Sequence, residues 1–266
     1  MVIDMKICSA AKINLRLKCV GKYENGYHEL EMLNIRYPLY DYIYIRKASE
    51  NSLEFINSNL DGNTDNLVLK VLEYLQNTYN IKERYNIKIE KNIPVGAGLG
   101  GGSSNAATVI KYINEEHNLN LSINELINIG VKFGADIPYC LFDAPCIVRG
   151  IGELIEQVDL NLNEEIIVVN PNIYISTQEV FKNNKKLSGK TNINLENYLE
   201  FIENDLEESA FHINEELKKV KKYLENLDIK KVVMSGSGST FIVLVEKDKK
   251  IEVFNKIKKQ TKYLVF

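Results

Sequence analysis

The sequence predicts an α+β protein of two domains, and three observations carry that expectation. A chain of 266 residues is long enough for two ordinary domains. Its first part mixes alternating strand patterns with helical ones around a crowded run of glycines. Beyond about residue 158 the pattern changes to strand, helices, strand, strand, helix, strand. The expected domains are therefore residues 1–158 and 159–266, although no Pro- or Ser-rich linker marks the boundary.

Taken in order, KINLRLKCV from Lys12 to Val20 alternates, with Ile13, Leu15, Leu17 and Cys19 on one face and Lys12, Asn14, Arg16 and Lys18 on the other. That is a half-buried strand, and Lys12 and Asn14, two residues apart, point the same way and can address one ligand. Further strands are expected at about 29–36, 42–47, 52–56 and 85–91. The run NLVLKVLEYL places Val68, Leu69, Val71, Leu72 and Leu75 at helical spacing, with Thr64 or Asp65 as its cap. After the glycines, SSNAATVIKYI reads as a helix from Ser103. Ser122 and Glu125 form a capping box for a second helix, which Gly134 is expected to end. Asp136 then stands ahead of Pro138 at a new helical start, and a strand near 145–149 leads to the turn GIGE.

In the second part, EIIVVN, KKVVM, TFIVLVE and YLVF are strands and KIEVFNKIKK is a helix. With the helices before KKVVM, this order is a ferredoxin-like split β-α-β-β-α-β topology carrying an extra helix. The charge runs KKVKK and KDKK belong to solvated helix faces or turns.

Composition narrows the function. A hydrophobic content of 45% with 26% charged residues describes a globular chain. A formal net charge of -3 argues against nucleic acid and anionic membranes as partners, since both select for a basic excess. No apolar run reaches bilayer-spanning length, so the expected location is the cytoplasm, as a monomer or homodimer. Cys8, Cys19, Cys140 and Cys146 form no C-x-x-C pair and sit on or beside apolar segments, as buried free thiols do. With three histidines, His28, His117 and His212, a histidine metal cluster or a Ser-His-Asp hydrolase has few possible builds.

The stretch PVGAGLGGGSSNAA carries the chemistry. Pro94, Val95, Gly96, Ala97, Gly98, Leu99, Gly100, Gly101, Gly102, Ser103, Ser104 and Asn105 run straight into a helix start. Glycine lets backbone come close to a ligand and adopt positive φ, while the first N–H groups of a helix and its dipole favour an anion. Phosphate is the natural guest. There is no G-K-[ST] ending, so the P-loop reading fails. Gly96, Gly98 and Gly101 satisfy G-x-G-x-x-G, which keeps an NAD-dependent oxidoreductase as an alternative. YNIKIEK, however, alternates where a dinucleotide fold wants a buried apolar strand, and Pro94 intervenes.

On Pro94, Gly98, Leu99, Gly100, Ser103 and Ser104 the loop resembles the ATP-binding motif of the GHMP kinases, the superfamily of galactokinase, homoserine kinase and mevalonate kinase. AKINLRLKCVGKYENGYHELEML, GADIPYCL, PNIYISTQEVF and MSGSGST are similar to the family within it that phosphorylates a cytidine-diphosphate-linked methylerythritol. The resemblance spans both parts of the chain. It implies a two-domain GHMP-kinase-like fold and transfer of the ATP γ-phosphate to a hydroxyl, the 2-OH, in non-mevalonate isoprenoid biosynthesis. The other acceptors of the superfamily, homoserine or mevalonate, are the nearer alternative, against which GYHEL discriminates. By the same resemblance Lys12 and Asp136 are the catalytic pair with Asn14 beside them, while Tyr27 and His28 hold the cytidine. Phe181 faces that base, with Thr177 and the backbone of Ile151 nearby, and the loop at 235–238 lies on the substrate and phosphate side. Asp136 as a simple helix cap, Phe181 as helix packing and SGSG as a hairpin turn are the structural alternatives. ATP chemistry implies Mg2+, held by phosphates and water with Ser104 as a candidate ligand.

Overall fold

The computed structural model describes residues 5–58, 60, 62 and 65–266. The chain forms two compact units, each gathering pieces distant in sequence. The first holds the chain up to Lys12, Arg36–Val95 and Gly100–Asp143; the second holds Ile13–Ile35, Gly96–Leu99 and Ala144–Phe266. Two long strands, β1 (Met5–Lys22) and β2 (His28–Ala48), contribute to both.

The first unit adds β3 (Ser52–Ile56), α1 (Leu67–Tyr79), β4 (Arg84–Glu90), α2 (Gly101–Glu116), α3 (Ile123–Gly130) and α4 (Ile137–Cys140). β4 lies parallel to β3 and antiparallel to the C-terminal half of β2, with Tyr42 opposite Glu90 and Ala48 opposite Arg84. Ile43, Ile45, Ile87 and Ile89 from these strands are buried, as are Leu72 and Leu75 of α1 and Val109, Ile110 and Ile113 of α2. Asn66 caps α1, its side chain accepting from the Val68 N–H at 2.9 Å. The expected caps are Asp65, which precedes it, and Thr64, which lies outside the described residues. Strands expected separately at 29–36 and 42–47 are one strand, because Pro38 falls where β2 changes partners and no ladder bond to β4 or β5 is due. α3 has the full Ser122–Glu125 capping box. It ends at Gly130 rather than Gly134, where the chain turns to set Ile137 against Gly130: a Cβ there would meet Ile137 Cγ2 at 2.8 Å.

The second unit contains β5 (Cys146–Gly150), antiparallel to the N-terminal half of β2, and its hairpin partner β6 (Leu154–Gln157). Then follow β7 (Glu165–Asn170), α5 (Thr177–Asn183), α6 (Tyr198–Phe201), β8 (Glu203–Asn204), α7 (Glu207–Ile213), α8 (Glu215–Glu225), β9 (Lys231–Met234), β10 (Phe241–Val245), α9 (Lys250–Gln260) and β11 (Leu264–Val265). β8 pairs in parallel with β1 at Arg16 and Leu17. The sheet order β11-β7-β10-β9, with antiparallel neighbours, is the ferredoxin-like arrangement expected from the sequence. FIVLV of β10 is buried throughout, as a central strand covered on both faces requires.

All four cysteines are free, but Cys8 is exposed rather than buried, since it sits near the start of β1. Burial pushes the Cys19 thiol up to about 12 and those of Cys140 and Cys146 up to about 11. Among the described residues no helix is long and apolar enough to cross a membrane.

Candidate active site

In the first unit, Lys12 Nζ lies 3.2 Å from Oδ2 of Asp136. The lysine side chain is 3% exposed and the aspartate 36%, so a buried ammonium orients an accessible carboxylate. Asp136 precedes α4 at the N-cap position, yet its side chain makes no capping hydrogen bond. The carboxylate is turned to the lysine, which sets aside the simple cap reading.

Gly100 determines the path of Lys12. It has φ +65°, and a Cβ there would stand 2.6 Å from Lys12 Cγ and 2.9 Å from Cε. Glycine is thus required twice, by the left-handed backbone and by the passing lysine. Gly100 is also the N-cap of α2, which begins without a side-chain cap and without an acidic residue in its first turn. Helix dipole, ammonium and carboxylate therefore occur together, with no carboxylate in that turn to offset the positive end. Such a group can hold a phosphate and orient an incoming hydroxyl.

Ser104 behaves differently from expectation. It is fully buried; its Oγ donates to the Ala10 carbonyl at 2.7 Å and accepts from Arg36 Nη2 and Ser9 Oγ, both at 3.0 Å. Its donor and both lone pairs are engaged, so the hydroxyl does not fit as a magnesium ligand. It ties the first turn of α2 to β1 and β2 instead. Among the described residues no cluster of three His, Cys, Asp or Glu side chains could hold a metal.

Lys91 was not singled out in the sequence. Its ammonium pairs with the buried Asp41, whose Oδ1 accepts from the N–H groups of Asn92 and Ile93 at 2.8 and 2.9 Å. A Cβ on Gly101 would stand 3.2 Å from Lys91 Nζ, which puts a second ammonium at the start of α2. Asp41 is fifty positions away, so no local signal revealed the pair.

In the second unit, Gly96 and Gly98 have φ +64° and +75°, while Ala97 and Leu99 turn inward as buried anchors. This is no slack connector. A Cβ on Gly98 would lie 2.1 Å from the Ser235 carbonyl oxygen. Ser235 Oγ donates to the Gly98 carbonyl at 3.0 Å and accepts from the Asn14 N–H at 3.1 Å. The SGSG segment does link the antiparallel β9 and β10, but it is buried against the glycine loop rather than projecting as a bare turn.

His28 is buried and its ring centroid is 5.4 Å from that of Phe181, tilted by 42°. At that distance the two rings touch, leaving no slot for a base between them. Tyr27, by contrast, is 60% exposed and follows Gly26 at φ +87°. Burial, and next the positive charge of Lys22, lower the His28 pKa. Thr177 Oγ1 and Ser237 Oγ are 2.7 Å apart. The N–H of Ile151 donates to the Glu153 carboxylate at 2.7 Å and is thereby occupied. Tyr174, also missed, is 82% exposed with its ring 3.7 Å from where a Gly96 Cβ would be.

The chain shares sequence and fold with known proteins. The GHMP kinases N terminal domain matches residues 66–150 and the GHMP kinases C terminal domain residues 183–262. The chain is 35% identical to 4-diphosphocytidyl-2-C-methyl-D-erythritol kinase of Clostridium perfringens (strain 13 / Type A), over 89% of this chain and 87% of that one. It is 33% identical to the enzyme of the same name from Bacillus cereus (strain B4264), over 96% and 93%. A crystal structure of 4-(cytidine 5'-diphospho)-2C-methyl-D-erythritol kinase superposes with a TM-score of 0.81 at 28% identity, covering 98% of each chain. Homoserine kinase from Cytophaga hutchinsonii, at 16% identity and a TM-score of 0.73 over 99% and 93%, shares the fold.

Proposed function

The chain belongs to the family of 4-diphosphocytidyl-2-C-methyl-D-erythritol kinases, and from that premise we propose which of its residues perform the transfer of the ATP γ-phosphoryl group to the acceptor's 2-hydroxyl. It is an ATP-dependent phosphotransferase with an alcohol as acceptor. The kinase family leaves no place for the NAD-dependent alternative, and the named relatives favour the cytidyl-linked acceptor over homoserine or mevalonate.

The observation that carries the residue assignment is the passage of Lys12 against Gly100 to reach Asp136. In this reading the backbone from Pro94 to Asn105 receives the triphosphate, and Lys12 balances charge on the transferred group. Asp136 orients the hydroxyl and takes its proton. Asn14, Tyr27, His28, Thr177 and Phe181 hold the acceptor, with His28 against Phe181 and the exposed face of Tyr27 open for stacking. The N–H of Ile151 already has an acceptor in Glu153, so a backbone contact from Ile151 would come through its carbonyl. Magnesium bound with ATP would be held by phosphate oxygens and water and would neutralise charge on the phosphates. The nucleotide loop falls within residues 1–158, while the acceptor side draws on both parts of the chain, Asn14, Tyr27 and His28 before residue 158 and Thr177 and Phe181 after it; the expected location of the enzyme is the cytoplasm. A phosphorus NMR spectrum of the reaction tests this: a new phosphomonoester beside an intact diphosphate is expected, and loss of the diphosphate signal would refute it.

A further inference from the structure

Asn34 on β2 is wholly buried, and its Oδ1 accepts from Asn14 Nδ2 at 2.6 Å. Its own Nδ2 is buried without a hydrogen-bond partner. A buried donor left without an acceptor costs free energy, and an apolar side chain of similar volume would avoid that cost. The bond to Asn14 is therefore the one thing this side chain is seen to accomplish at the expense of an orphaned donor. The consequence for Asn14 is definite. An asparagine amide can be turned either way with little change in shape, and a neighbour decides which end faces outward. Asn14 Nδ2 has Asn34 Oδ1 as its short-range acceptor and Met32 Sδ, at 3.6 Å, as a weaker one, so the other end of the amide is its oxygen, 3.5 Å from Ser235 Oγ.

The placement along β2 fits the acceptor. His28, Leu30, Met32 and Asn34 alternate onto one face, and the register against β5 is unbroken from Leu30 to Asn34. Asn34 is thus roughly 20 Å along the strand from His28, at about 3.3 Å per residue. The cytidine end belongs to His28, and Asn34 lies toward the hydroxyl-bearing end.

We propose that Asn34 is a positioning residue that fixes the Asn14 amide with its oxygen toward the acceptor, so that the site accepts a hydrogen bond from a polyol hydroxyl. This rests on the acceptor assignment above. The test is steady-state kinetics and melting of Asn34→Leu and Asn34→Ala, one of similar volume and one smaller, beside Asn34→Asp, which keeps an oxygen for Asn14. The two apolar variants are expected to raise the KM for the cytidyl-linked acceptor about tenfold, the equivalent of one lost orienting hydrogen bond. The KM for ATP should stay within about twofold, with the Leu variant melting no lower than wild type. Asn34→Asp is expected to recover most of the acceptor KM. Unchanged acceptor KM in both apolar variants overturns the proposal, as does an Asp variant as impaired as Leu. Parallel losses toward acceptor and ATP with a lowered Tm would show a structural role and also overturn it. Failure of the wild-type enzyme to turn over the acceptor would remove the acceptor assignment itself, a result separate from any of these.

Discussion

Lys12 Nζ and Asp136 Oδ2 stand 3.2 Å apart, with the lysine sealed in the first unit and the aspartate open to solvent. The asymmetry supports the proposed division of labour, in which burial holds the ammonium in place and the exposed carboxylate meets a substrate hydroxyl. Asp136→Asn should therefore keep ATP affinity while lowering kcat by on the order of a hundredfold or more, the effect of losing a positioned proton acceptor. Titration calorimetry with an ATP analogue and steady-state rates check this; equal loss of binding and turnover would assign the carboxylate a structural role.

The glycines of the loop are not equivalent. Gly98→Ala would drive a Cβ to 2.1 Å from the Ser235 carbonyl oxygen at φ +75°, adding a clash to about 1–2 kcal/mol of left-handed strain. Gly102 has no neighbour within 4 Å of its would-be Cβ and lies in regular helix. Thermal melts should show Gly98→Ala several degrees below wild type and Gly102→Ala at or slightly above it.

Ser104→Ala separates anchoring from metal binding. Loss of the hydroxyl strips Arg36, Ser9 and the Ala10 carbonyl of a buried partner, which should cost about 1–3 kcal/mol of stability. The Mg2+ concentration for half-maximal rate should not move. A rise of tenfold in that concentration with unchanged melting would restore Ser104 as a ligand.

His28 gives the protein a pH dependence whose sign follows from its lowered pKa. On acidification through about 6.5 the unfolded chain takes up a proton that the folded site resists. The contribution is complete above that pH and is lost progressively as pH falls toward the folded-state pKa. Denaturant midpoints between pH 7.5 and 5 should fall more steeply for the wild type than for His28→Gln; parallel curves would contradict the burial of the imidazole.

Local patterns disclosed most of this molecule. FIVLV, EIIVVN and the Ser122–Glu125 box each contain their own explanation, because burial on both faces and reciprocal capping are written in neighbouring residues. The glycine run offers a phosphate loop on the same local grounds, crowded glycines ahead of a helix start. Contacts between distant residues were not legible in the same way. Ser104 looked like a ligand because nothing adjacent shows Arg36 and Ser9 closing on its hydroxyl, and Lys91 looked ordinary because Asp41 is far off in the chain. The break expected between 36 and 42 is absent because Pro38 falls where β2 exchanges one partner for another, which no local pattern shows.

Lys12, Gly100 and Asp136 are proposed to serve transfer to one acceptor, the cytidyl-linked methylerythritol. ADP release measured with that compound, homoserine, mevalonate and galactose in turn tests it most directly. The cytidyl-linked acceptor should give turnover that Asp136→Asn lowers by on the order of a hundredfold or more, with the other three at background. Turnover of homoserine or mevalonate alone, or ADP release from the cytidyl-linked acceptor undiminished in Asp136→Asn, would contradict the account.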